Sequence, residues 1–220
     1  MSIQAQPYTG GRAGRLHLVA QNLALDFANT ESGRNTTQHL DHLASGSDLI
    51  AWAVHAAVLR SDQQETARQM LENHKTLSHD LVKEALVLRQ VIYEVNSALA
   101  NGIRLPTSDS HSLVHIFGKA LEKAGLGVEN SRRVLTWNIT DGLTFAVLGP
   151  IATAGFELLT QSDATRIKQC EGKYCGWLFY DTTKNNSRRW CNMRVCGNRS
   201  KARALRARQS KEHSVTVENS

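Results

Sequence analysis

Apolar residues recur at helical spacing over much of the first 160 positions. The clearest stripe is Leu81, Ala85, Leu88, Ile92, Val95 and Leu99, in steps of 4, 3, 4, 3 and 4. It predicts a long helix over 78–100, ended by Asn101-Gly102. A second apolar face, from Leu49 and Ile50 through Trp52 and Ala53 to Leu59, predicts a helix that starts at Ser47. Ser61 with Gln64 reads as a capping box opening a polar helix to about Asn73. After a linker at Pro106, Leu113, Ile116, Phe117, Ala120 and Leu121 share one face of a helix over 109–124, stopped by Gly125 and Gly127. Strand signals are fewer. Residues 16–20 read as a short strand with Gln21-Asn22 as a turn, and Leu23–Phe27 either pairs back as a hairpin or begins a helix. Residues 31–46 read as polar loop. Segments 132–138 and 143–148 read as strands joined at Asp141-Gly142, followed by a helix to Leu159 with Pro150 at its first position. The fold class is mostly α: a multihelical N-terminal domain over 16–161 with a small antiparallel β element. The polar, Gly-rich residues 1–15 read as a flexible N-terminus.

Past residue 161 the pattern changes. All 4 cysteines fall there, as the pairs Cys170/Cys175 and Cys191/Cys196, each separated by four residues. Two local pairs of thiolates suit one tetrahedral zinc, because each pair needs only a tight turn to aim both sulfurs inward. No apolar run of signal-peptide length follows Met1, which points to a reducing, cytoplasmic location and away from disulfides. Four thiolates also serve iron–sulfur clusters, but two evenly spaced pairs around a strand-and-turn segment are commoner for zinc. A closed four-ligand site leaves no open position for a substrate, so the zinc is expected to be structural and the protein not an enzyme. Trp177, Leu178, Phe179 and Tyr180 read as a strand, and Trp177, Phe179 and Trp190 as the mini-core that so small a module must bury.

Charge is segregated along the chain. From Arg166 to Lys211 there are 13 Lys/Arg against 2 Asp/Glu, a net +11 in a chain that is +6 overall, so the remainder is −5. A mildly acidic body with a strongly basic end predicts a polyanionic partner at that end. After Cys196 good helix formers run from Asn198 to about Gln209. Arg199, Arg203 and Arg206 fall on one face, Lys201 and Arg208 on a neighbouring one, and Leu205 with Ala202 is expected to face inward. Arginine forks match phosphates bidentately and can read guanine. The expected nucleic-acid contacts are Arg188, Arg189, Asn198, Arg199, Lys201, Arg203 and Arg206, with Asn198 also a candidate helix cap.

The residues Cys196-Gly197-Asn198-Arg199, after Cys170-x4-Cys175-Gly-Trp-Leu-Phe and Ser187-Arg188-Arg189-Trp190-Cys191, closely resemble the CGNR zinc finger. That finger ends bacterial proteins described as stress-induced transcription regulators, whose N-terminal part is the ABATE domain. The stretch Leu23–Thr30 resembles the opening of that domain, and Leu148–Ala152 with Glu157–Thr160 its end. The resemblance implies a treble-clef or ribbon-like finger over 166–209, one structural zinc, DNA as partner, and a body that senses a small-molecule effector or forms a homodimer. Residues 210–220 are expected to be a disordered tail. An RNA-binding module would use the same charges, and a ligand-binding or enzymatic body stabilised by the finger is a third possibility.

The body offers little catalytic chemistry. Asp26, Asn29 and Thr30 read as cap and turn residues rather than a ligand site. His111 and His115 are four apart on a predicted helix but lack the intervening Glu of a zincin, and His39 and His42 lie in a loop. No Gly-rich phosphate loop or nucleophile elbow is present, and no apolar run is expected to span a membrane.

Overall fold

A computed structural model describes residues 12–104 and 107–218. The centre of the body is two long helices, α4 (Lys75–Ala100) and α6 (Leu143–Gln161). Around them lie α1 (Leu23–Ala28), α2 (Gly46–His55), α3 (Gln64–Asn73) and α5 (Thr107–Glu122). The stripe on α4 is the spine of the core: Leu81, Ala85, Leu88, Ile92 and Val95 are all buried. Its last member, Leu99, reaches a second apolar cluster under the C-terminal module. The mostly helical class is therefore as the periodicity predicts.

Several local expectations are corrected. Residues 16–20 are not a strand; Ala13–Arg15 form a 3-10 turn with Ala13 fully buried, while 1–11 of the expected flexible N-terminus lies outside the described residues. Leu23 begins a helix rather than a hairpin, because the Asn22 side chain accepts the N–H groups of Ala24 and Leu25. Helix α2 begins at Gly46, one residue early, since Ser45 accepts the Asp48 N–H. The helical region expected to open at Ser61 is fixed by Gln63, whose side chain accepts the Arg60 N–H at 2.9 Å.

The hairpin lies elsewhere than expected. Strands β3 (Gly125–Glu129) and β4 (Arg132–Thr136) pair antiparallel through Asn130 and Ser131, both with positive φ, as a two-residue type I′ turn requires. Asp141-Gly142 ends a short 3-10 turn and opens α6 instead. The run 143–148 is helical because Leu143, Ala146 and Val147 share the buried face with Ile151 and Leu158. Pro150 thus sits inside α6, where its missing N–H removes one helical bond. By length and composition α6 could cross a membrane, unlike the expectation from sequence, but it is a core helix packed on α1, α4 and α5.

The expected loop 31–46 contains a tight two-residue ladder, β1 (Glu31–Ser32) with β2 (Leu40–Asp41). The buried Arg89 on α4 holds both strands, reaching Asp41 with two 2.7 Å hydrogen bonds and Glu31 at 3.2 Å. Gly33 turns this hairpin with φ +62, and a Cβ there would meet the Gln38 carbonyl oxygen at 2.4 Å. The chain closes with β5 (Ile167–Gln169), β6 (Leu178–Tyr180) and α7 (Asn198–Glu218), whose connections carry the cysteines.

Candidate metal centre

The first cysteine pair is the tip of a hairpin. β5 and β6 pair antiparallel, with Gln169 opposite Leu178, and the Cys170 N–H extends the ladder to the Trp177 carbonyl at 2.8 Å. The Cys175 N–H closes a turn on the Gly172 carbonyl at 2.9 Å, and Gly176, with φ +70, sends the chain back into β6. The spacing of four between the cysteines is the length of this turn. The second pair is built by a cap. The Asn192 side chain accepts the N–H groups of Arg194 (2.9 Å) and Val195 (3.3 Å), and its carbonyl accepts that of Cys196 (2.9 Å). A π-helical turn, Met193–Gly197, then carries Cys196 into α7. Asn198 is the first residue of the helix proper, so the capping expected of it falls to Asn192.

The four sulfurs lie within 4.8 Å of one another, with Cys175–Cys191 at 3.5 Å and Cys191–Cys196 at 3.7 Å. A tetrahedron with Zn–S of about 2.3 Å sets its sulfurs about 3.8 Å apart, so the donor set has the size of a zinc shell. Cys170, Cys191 and Cys196 are buried and Cys175 half-buried. Thiols this close interact strongly: the hydrogen bond from Cys175 leads those that push Cys170 far below its ordinary value, while the hydrogen bond to Cys170 pushes Cys191 far above. One dication shared among the four sulfurs lets all four be held as thiolates at this spacing, and these cysteines are the site of one structural zinc ion. Among the described residues no other His, Cys, Asp or Glu group of three could hold a metal.

The module does not stand alone. Asn29, buried at the end of α1, donates to the Leu178 carbonyl and accepts the Leu178 N–H, both at 2.8 Å. It pairs with β6 as a neighbouring strand would. The Ala20 carbonyl accepts the Tyr180 N–H at 2.8 Å on the same strand. The Gly33 N–H reaches the Cys175 carbonyl at 2.9 Å, and the Trp177 indole N–H donates to Ser32 Oγ at 2.9 Å. Beneath these bonds Ala20, Leu25 and Leu158 of the body share one core with Ile167, Leu178, Phe179 and three of the cysteines.

The expected nucleic-acid residues divide into two groups. Arg188 is turned inward: its guanidinium stacks 4.2 Å over the Phe179 ring and donates to the carbonyls of Val19, Trp190 and Cys191. Arg189 is exposed but forked onto Glu171. Asn198, Arg199, Lys201 and Arg206 are exposed along α7, and Arg203 is half-buried beside Tyr174. Leu205, expected to face inward, is 57 % exposed, because α7 packs chiefly on the turn that roots it. The acids of the module are used elsewhere: Glu171 by Arg189, Asp181 by Lys168 and Asp163 by Arg166. Sequence reasoning missed β5, Asn192 and the clamp by Asn29. Asn192 had one legible signal, that Asn is among the residues preferred as a helix N-cap.

The fold and the site define a helical body fused to a four-cysteine zinc finger whose last ligand begins a basic helix. Residues 166–209 match the family model for the CGNR zinc finger, and residues 21–162 match the family described as "Putative stress-induced transcription regulator", ABATE. The chain belongs to the ABATE family. Neither matched family is one of enzymes. No curated protein matches the chain.

Proposed function

We propose that this protein is a cytoplasmic, DNA-binding transcription regulator that responds to stress, with α7 as its contact element. The carrying observation is the helix rooted at Cys196: Arg199, Lys201 and Arg203 have no carboxylate partner among the described residues, while the module's acids are paired elsewhere. Arg206 and Asn198 extend the same surface. Arg188 supports the finger from inside and Arg189 is a peripheral contact. The family description agrees with this reading. The body then senses the signal or joins two copies, and a dimer would read a site with two-fold symmetry.

The test is an electrophoretic shift of the zinc-loaded protein on genomic fragments at several salt concentrations, with structured RNA as competitor. Contacts to about four to six phosphates predict a log–log salt slope of about −3 to −6. Arg199→Ala reduces the slope by about one unit. A salt-independent affinity, or RNA displacing DNA at equal concentration, overturns the reading.

A further inference from the structure

Helix α5 is covered on one side only. It packs on α4 and α6, which buries Leu113 and Ala120 and half-buries Ile116 and Phe117. The opposite face runs His111, Val114, His115, Gly118, Leu121 and Glu122, in steps of 3, 1, 3, 3 and 1. That spacing keeps all six on one side of the helix. All but Gly118 are exposed, Val114 by 53 % and Leu121 by 46 %. Among the described residues neither His115 nor Glu122 has a hydrogen-bond or ion-pair partner.

Gly118 has no use within one chain. A Cβ added there would meet nothing within 4 Å, and its φ is not positive. Glycine inside a helix weakens it relative to alanine, so a single copy gains nothing from this residue. Glycine does serve where another backbone must come close.

The face is also complementary to itself. Val114 lies four residues before Gly118 and Leu121 three after it; His115 lies three before and Glu122 four after. Two α5 helices laid antiparallel, with their glycines at a two-fold axis, therefore bring Val114 level with Leu121 of the second copy. They bring His115 level with Glu122 of the second copy. The apolar pair falls on one side of the glycines and the polar pair on the other, and the two-fold axis makes each contact twice. An imidazole N–H then faces a carboxylate. A parallel arrangement would instead set Glu122 against Glu122 and His115 against His115. On the apolar side the surface continues onto Phe117, whose ring stacks on Phe156 with centroids 4.3 Å apart.

We propose that the protein pairs with a second copy of itself through α5, the two helices antiparallel about Gly118. This gives the joining role proposed for the body a place on the molecule, and the contact holds whether or not α7 binds DNA.

Sedimentation velocity of the zinc-loaded full chain, without DNA, tests it. A dimer is expected at micromolar concentration. Gly118→Leu fills the axis and weakens the dimer at least tenfold, while the helical signal and Tm of the dilute chain are retained. His115→Glu sets carboxylates together and weakens it at least tenfold. Adding Glu122→His exchanges the partners and restores the dimer. His115 and Glu122 do not touch within one chain, so this rescue reads the contact between copies. A chain still monomeric at about 100 μM, a dimer indifferent to folded Gly118→Leu, or no recovery in the exchanged variant overturns the proposal. An electrophoretic shift run beside these measurements separates the two readings. A dimer that retains no DNA refutes the regulator reading and leaves the α5 contact standing; DNA retained by a chain that stays monomeric does the reverse.

Discussion

At the scale of single residues, the junction rests on side chains that act as backbone. Asn29 supplies both a donor and an acceptor to Leu178, whose N–H and carbonyl have no other route to a partner while buried. Asn29→Ala leaves both groups unpaired and is expected to cost about 2–5 kcal/mol, a fall in Tm of roughly 5–15 °C in a thermal melt. Asp26, a few residues earlier, accepts the Ala20 N–H at 3.0 Å. Burial pushes its carboxyl up to about 6 from an ordinary 3.8, against the hydrogen bonds from Ala20 and Val19 and the nearby charges of Arg188 and His55. The folded state therefore binds more protons than the unfolded chain between about pH 4 and pH 6. Stability contributed by this group is full below about pH 4 and falls as pH rises to 6. Asp26→Asn is expected to flatten that window and to gain about 1–2 kcal/mol near pH 7, measured by melts across pH.

At the scale of elements, the finger is a hairpin tip and a helix start brought together by their sulfurs, and each half was readable for a different reason. The cysteine spacing gave away the ligands because a knuckle is a local structure. The α4 stripe was legible because its apolar steps are strictly helical. The Asp141-Gly142 signal misled because Asp-Gly serves a helix start as well as a hairpin turn, and only the apolar face shared with Ile151 and Leu158 decides between them. Strand β5 was invisible because three residues, Ile167–Gln169, carry too little pattern and owe their conformation to β6. The fate of the arginines was equally non-local: Arg188 turns inward only because Phe179 and the Val19 carbonyl are there to receive it. Two substitutions separate these roles. Arg188→Ala should lower Tm, with a loss of about 1–3 kcal/mol from the unpaired carbonyls. Arg199→Ala, on the exposed face of α7, should leave Tm within about 2 °C and weaken nucleic-acid binding alone.

At the scale of the whole molecule, body and finger share a core, so metal occupancy is a property of the entire fold. Ala20, Leu25 and Leu158 pack against residues that the zinc organises. Chelation is expected to shift one cooperative transition downward rather than split the melt into a stable body and an unfolded finger. Calorimetric scans with and without a zinc chelator check this, and a body transition unmoved by chelation would contradict the shared core. The pairing of Asn29 with Leu178 spans 149 positions of chain. During synthesis at roughly 5–20 residues per second, α1 is therefore made about 7 to 30 seconds before its partner strand exists. Through that interval Leu25 has no apolar cover from the C-terminal side. A nascent chain starved of zinc would remain in this half-covered form and be open to chaperones and proteases. Zinc supply would then set how much of the protein accumulates in the cell.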